Sequence, residues 1–221
     1  MSKKEQKLNS FCSQCEASCN VISSIQGVGG EVTRPSLLLH SCCGPCSSSV
    51  IERLAPDYNI TVYFYNPCIT DSEEYEKRKA TQLKFINGYN SKFQGSSSIS
   101  FLEGDYEPLE YIEKVKGHEN DPEGGERCTL CFKMRLEKTG AVAKQKGYQV
   151  FGTTLTVSPH KNYPLISDIG NEIAMKLGIE FLDMDFKKKA GFQRSIQLSK
   201  EYDLYRQNYC GCMYSIRDNI D

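Results

Sequence analysis

The stretch "SLLLHSCCGPCSSSVIERLA", residues 36–55, decides the fold. Leu37, Leu38 and Leu39 form a short continuous apolar run, as a strand buried on both faces requires. A glycine–proline turn follows, and then a helical pattern with Ser47 or Ser48 as the expected N-cap. Three cysteines, Cys42, Cys43 and Cys46, sit at the join. Cys43 to Cys46 spells the thioredoxin "CGPC", yet Cys42 precedes it and the elements after it follow a different order.

The same alternation continues along the chain. "ITVYFYNP" (60–67) reads as a strand stopped by Pro67, and "SEEYEKRKATQLKFINGYN" (72–90) as a long helix capped by Asp71 or Ser72. "ISFLEGDY" is a third strand and "PLEYIEKVKG" a short helix with proline at its start and glycine after its end. The polar loop "HENDPEGGE" delivers Cys128 to the helix "TLCFKMRLEKTGAVAKQKG". "YQVFGTTLTVS" and "IEFLDMDF" are a fourth and a fifth strand, separated by a helix over 163–178, and a last helix covers about 191–204. Strands alternating with helices predict a doubly wound, mainly parallel five-stranded α/β sheet. In such sheets chemistry gathers at the carboxyl ends of strands, where "SCCGPC" and "NPC" fall.

Composition limits the classes. The 221 residues are 39% hydrophobic and 25% charged, as in an ordinary globular chain. No apolar run is long enough to span a bilayer, and the lysine-bearing start lacks the apolar segment of a secretory signal. A cytoplasmic protein is expected. Net charge is -1, so a uniformly basic nucleic-acid binder is excluded, whereas a local basic face is not. Residues 1–34 read as a flexible, cysteine-bearing extension, and residues 35–221 as one α/β domain.

Eleven cysteines stand out. The number is odd and the chain is too large to need stapling, so metal or redox chemistry is the expectation. Cys42 and Cys43 together with Cys128-x2-Cys131 could form a four-thiolate site, which suits iron–sulfur or structural zinc. The helix start near Cys128 favours a thiolate there. Cys210 and Cys212 flank one glycine, and the small ring of a disulfide between them would be strained and easily reduced. They are a redox pair or two further ligands. "CSQCEASC" carries Cys12, Cys15 and Cys19 as a second metal site or as free thiols. Cys68 stands alone and reads equally well as a structural thiol, and His40 reads as a satisfied core histidine. Three function classes remain on residues alone: an iron–sulfur reductase, a zinc-binding nucleic-acid-associated module, and a simple thiol–disulfide oxidoreductase.

The segments "LLLHSCCGPCSS", "VYFYNP", "EYEKR", "EGDY", "GGERCTLCFKMRLEKT", "TTLTVSPHKN", "FKKKAGF" and "RSIQLSKEYDLYRQNYCGC" resemble, in order, the QueH family of epoxyqueuosine reductases. The resemblance runs from about residue 35 to 215 and leaves out the extension. It implies a sheet like that of the PP-loop, nucleotide-hydrolase-like (Rossmann-like) enzymes, with "SCCGPCSS" replacing their pyrophosphate loop, so that no ATP binding is expected. It implies cobalamin-independent reduction of epoxyqueuosine to queuosine in a tRNA with a GUN anticodon, the epoxide oxygen leaving as water. It further implies a [4Fe–4S] cluster on Cys42, Cys43, Cys128 and Cys131, a redox pair at Cys210 and Cys212, and Cys46 as the best candidate ligand of an additional iron. Electrons then come from a donor outside the chain. For tRNA contact, His160 and Lys161 of "SPHKN" and Arg194, with Lys187, Lys188 and Lys189, are the candidates.

Overall fold

The computed structural model describes residues 34–93 and 98–216. The extension expected over residues 1–34, with Cys12, Cys15 and Cys19, therefore lies outside the described residues except for Arg34. Five strands, β1 (Ser36–Ser41), β2 (Asn59–Phe64), β3 (Ser100–Glu103), β4 (Val150–Thr153) and β5 (Glu180–Phe181), form one sheet in the order β3-β2-β1-β4-β5. Every pairing is parallel. β1 is central, with Leu37 opposite Ile60 on one side and Val150 on the other.

Among the described residues six α-helices cover the faces: α1 (Gly44–Leu54), α2 (Ser72–Lys92), α3 (Pro108–Lys114), α4 (Glu126–Lys146), α5 (Tyr163–Leu177) and α6 (Gly191–Glu201). α1 packs with α2 and α6, and α4 with α5. The period-2 pleat sends Leu37 and Leu39 into one core with Val50, Ile51 and Phe85, and Leu38 into the other with Leu136, Phe151 and Ile166. All three leucines are fully buried, which is why the run is unbroken rather than alternating. Among the described residues no helix is long and apolar enough to cross a membrane.

Three local expectations are revised. α1 begins at Gly44 and its N-cap is Cys43, not Ser47 or Ser48, because proline suits the first helical turn, where its missing N–H costs nothing. The fifth strand is only two residues long, and the last helix ends at Glu201. Asp71 caps α2 as expected, accepting from the Glu73 and Glu74 N–H groups.

Chain order reverses beside β1. From β1 the chain runs outward to β2 and β3, then returns across α3 and α4 to β4 on the other side. The crevice between the carboxyl ends of β1 and β4 is the switch point of the sheet, the place where such folds hold ligands. Cys42 follows β1 directly, and His160 and Lys161 lie on the segment leaving β4.

Candidate functional site

The turn after β1 is fastened from α2. Ser41 and Ser47 both donate to Gln82 Oε1, at 2.7 and 2.9 Å, and Asn66 donates to the Ser41 carbonyl at 2.9 Å. This rigid turn groups three sulfurs. The Sγ atoms of Cys42, Cys43 and Cys46 all lie within 4.8 Å of one another. Gln207, from the C-terminal segment, donates its Nε2–H to Cys43 Sγ at 3.1 Å.

The loop before α4 is held by Arg127, which is buried and donates to the carbonyls of His118, Glu119 and Asp121. It sets Cys128 in the first turn of α4, where the Gly124 N–H reaches Cys128 Sγ at 3.2 Å. Cys131, one turn on, is buried, and Cys68, from the segment after β2, packs in the same buried cluster. The C-terminal segment brings Cys210 and Cys212 to the same end. The Tyr111 hydroxyl lies 3.0 Å from Cys212 Sγ, and Ser215 Oγ lies 2.9 Å from Cys210 Sγ. Gly211 between them has φ 104°, a left-handed conformation that favours glycine.

Two adjoining hollows of about 70 and 240 Å³ open here, sharing Glu123, His160, Lys161, Cys210 and Ser215 on their walls. The smaller is also lined by Cys68, Cys128, Cys131 and Cys212, the larger by Cys42 and Cys46. All eight described cysteines are free thiols, and all belong to this end of the sheet.

Each sulfur group carries one anion-prone member. Hydrogen bonds from Cys43 and Cys46 hold the Cys42 thiol well below its usual range, while Cys43 is pushed up to about 12 by its bond to Cys42 and Cys46 is raised for the same reason. The neighbouring Cys131 thiol lowers Cys68 to about 7, and Cys131 is raised in turn. The bond from Cys212 lowers Cys210 and raises Cys212. The balancing charge is Arg135, 4% exposed, whose Nε donates to the Cys131 carbonyl. Burial opposes its charge, but the surrounding cysteine sulfurs outweigh this, as they do for the Lys161 ammonium. No carboxylate pairs with Arg135 among the described residues. A buried cation of this kind needs an anion. Soft thiolates, N–H donors aimed at sulfur and a buried guanidinium suit a metal–thiolate centre bearing negative charge.

Other candidates lie elsewhere. Arg194 lines neither hollow; it is held by Glu52 through two bonds of 2.6 and 2.8 Å. Lys187 donates to the Lys161 carbonyl at 2.9 Å and so steadies the segment that carries Lys161. His40 is buried and satisfied: its Nε2–H donates to the Tyr65 carbonyl at 3.1 Å and Nδ1 faces Thr153 Oγ1 at 2.9 Å. Cys68, read from the sequence as a lone thiol just past the carboxyl end of β2, belongs to the site, and nothing local in the sequence marks Arg135, Tyr111 or Gln207.

Comparison with known proteins agrees with this geometry. A family model described as "Epoxyqueuosine reductase QueH" matches residues 37–218. Proteins of that same name are 43% identical in Streptococcus pyogenes serotype M1 (85% of this chain, 72% of the relative) and 41% identical in Staphylococcus epidermidis (85% and 79%). One from Thermotoga maritima is 36% identical (82% and 90%). With nearly the whole described chain matched at such identity, the protein belongs to the QueH family of epoxyqueuosine reductases.

Proposed function

We propose that this oxidoreductase reduces epoxyqueuosine in the anticodon of a GUN tRNA to queuosine in the cytoplasm. Two electrons and two protons enter, and the epoxide oxygen leaves as water. The observation that carries the reading is the convergence of three sulfur groups on Arg135 and Lys161 at the switch point of the sheet.

Cys42, Cys43, Cys128 and Cys131 are the residues to hold a [4Fe–4S] cluster, with Cys46 available to an additional iron. Such a centre supplies electrons one at a time and a Lewis-acidic iron. The chain does the rest. Cys210 and Cys212, as a dithiol, release two electrons and two protons on closing to a disulfide, and an external donor restores them. Tyr111 sits on Cys212 Sγ and Ser215 on Cys210 Sγ, which keeps the pair in position. Lys161, on the wall of both hollows, keeps its ammonium proton because the thiolates outweigh burial, and presents a cation and a proton to a departing oxygen. The exposed His160 lies beside it to meet the RNA.

The test is anaerobic purification with iron and sulfide measured, then dithionite and tRNA bearing epoxyqueuosine. About four iron and four sulfide per chain, with queuosine found by nucleoside mass spectrometry, is the expected result. Zinc in place of iron, without turnover, overturns the reading.

A further inference from the structure

A separate hollow, of about 260 Å³, lies between α1 and the start of α6 and shares no wall residue with the two cysteine hollows. Its wall includes Arg53, Lys188, Lys189 and Arg194 against the single carboxylate of Glu52, which Arg194 occupies. Arg53, Lys188 and Lys189 have no carboxylate partner among the described residues. Ser49 lines the same hollow, is 7% exposed, and its hydroxyl has no hydrogen-bond partner. Its neighbours behave differently: Ser47 donates to Gln82 Oε1, and Ser48 donates back to the Pro45 carbonyl. A buried hydroxyl left unpaired costs free energy unless a ligand completes it.

The approach to α6 also suits an anion. Ala190, its N-cap, lies in the left-handed region at φ 57°, offers no side-chain cap, and follows Lys189 at φ 58°. The first turn holds no acidic residue. The first N–H groups of α6 therefore have no side-chain acceptor at the cap position. Gly191 is the wall residue that opens this turn, and a Cβ there would collide with the Phe186 carbonyl.

We propose that this hollow binds one phosphate of the RNA backbone, with Ser49 Oγ, the α6 N-terminus, Lys188, Lys189 and Arg53 as its partners. The choice of RNA rests on the reductase reading above. It is supported by the shared border: Gly191 and Arg194 of α6 line this hollow, whereas Phe192 between them lines the larger cysteine hollow. Along α1, Arg53 is seven residues from Cys46, about 10 Å at 1.5 Å per residue, so one bound strand can reach both.

The test uses the iron-loaded protein and an unmodified anticodon stem-loop RNA, read by fluorescence anisotropy over a salt series. It needs no turnover, so failure of the reductase reading leaves it readable. For K188Q/K189Q, affinity should fall about tenfold, and the slope of log Kd against log salt should drop by about one. For Ser49→Val, which leaves the charge unchanged, affinity should fall about threefold with the slope retained. Both variants should keep wild-type iron content. Wild-type RNA affinity in both variants overturns the proposal. So does loss of inorganic phosphate binding, measured by calorimetry, with RNA affinity unchanged, since the site then serves a small phosphate ligand.

Discussion

Arg78 should decide whether the Cys210–Cys212 segment stays docked. It is 1% exposed on α2, with Nε 2.6 Å from Glu74 Oε1. Its two terminal nitrogens donate to the carbonyls of Cys210 at 3.0 Å and Tyr209 at 3.3 Å. Each bond from a charged donor is worth about 1.5–3 kcal/mol net, so the two together hold the segment by about 3 kcal/mol or more. Arg78→Met removes both and leaves Glu74 buried without its cation, a loss of about 3–5 kcal/mol by comparison with broken buried pairs. At 1.36 kcal/mol per decade, local opening should rise about 100-fold or more. The assay is pulsed alkylation of reduced, metal-free protein, with cysteine-resolved mass spectrometry. Cys210 should label about 100-fold faster than in wild type, while Cys43, fully buried at the start of α1, should change much less. A Cys210 rate within twofold of wild type, or an equal rise at Cys43, would refute the reasoning: the first means no clamp, the second means global rather than local opening.

At Gly211, φ 104° is strained for any other residue, and an added Cβ would stand 2.8 Å from Ile69 Cγ1 and 3.0 Å from Arg78 Nη1. Gly211→Ala should therefore cost about 2 kcal/mol or more and lower iron content; an unchanged Tm and iron content would contradict this. Burial, and then Arg135, lower His40 from 6.5 to about 3, so the unfolded chain takes up a proton that the folded one refuses. Stability should be complete above about pH 6.5 and fall as pH drops toward 3, by up to about 5 kcal/mol in metal-free protein. Urea unfolding of His40→Gln over this range should show a flatter slope, and an identical slope would exclude His40 as the cause. Cys128→Ala should remove both the cluster absorption near 400 nm and turnover, and retained turnover would sink the assignment of Cys128.

The residues by themselves determined the local elements and the general place of the chemistry. Buried strands, caps and breakers act over a few residues, so the alternation of strand and helix, the Asp71 cap and the cysteines after β1 and β2 were all legible. So was the family, because ordered segments along most of the chain carry it. The strand order, the two-residue β5 and the partners of each thiol were not, since they depend on which distant segments the crossovers bring together. Cys68 read as solitary because its neighbour Cys131 lies sixty-three positions away, and Arg135 looked like one more charge on a helix face. Arg194 looked like part of a basic run near the redox pair, yet a carboxylate on α1 holds it at a different hollow. Only tertiary packing could bury a guanidinium among thiols, because the cost of that burial is met by charges from four separate stretches of chain.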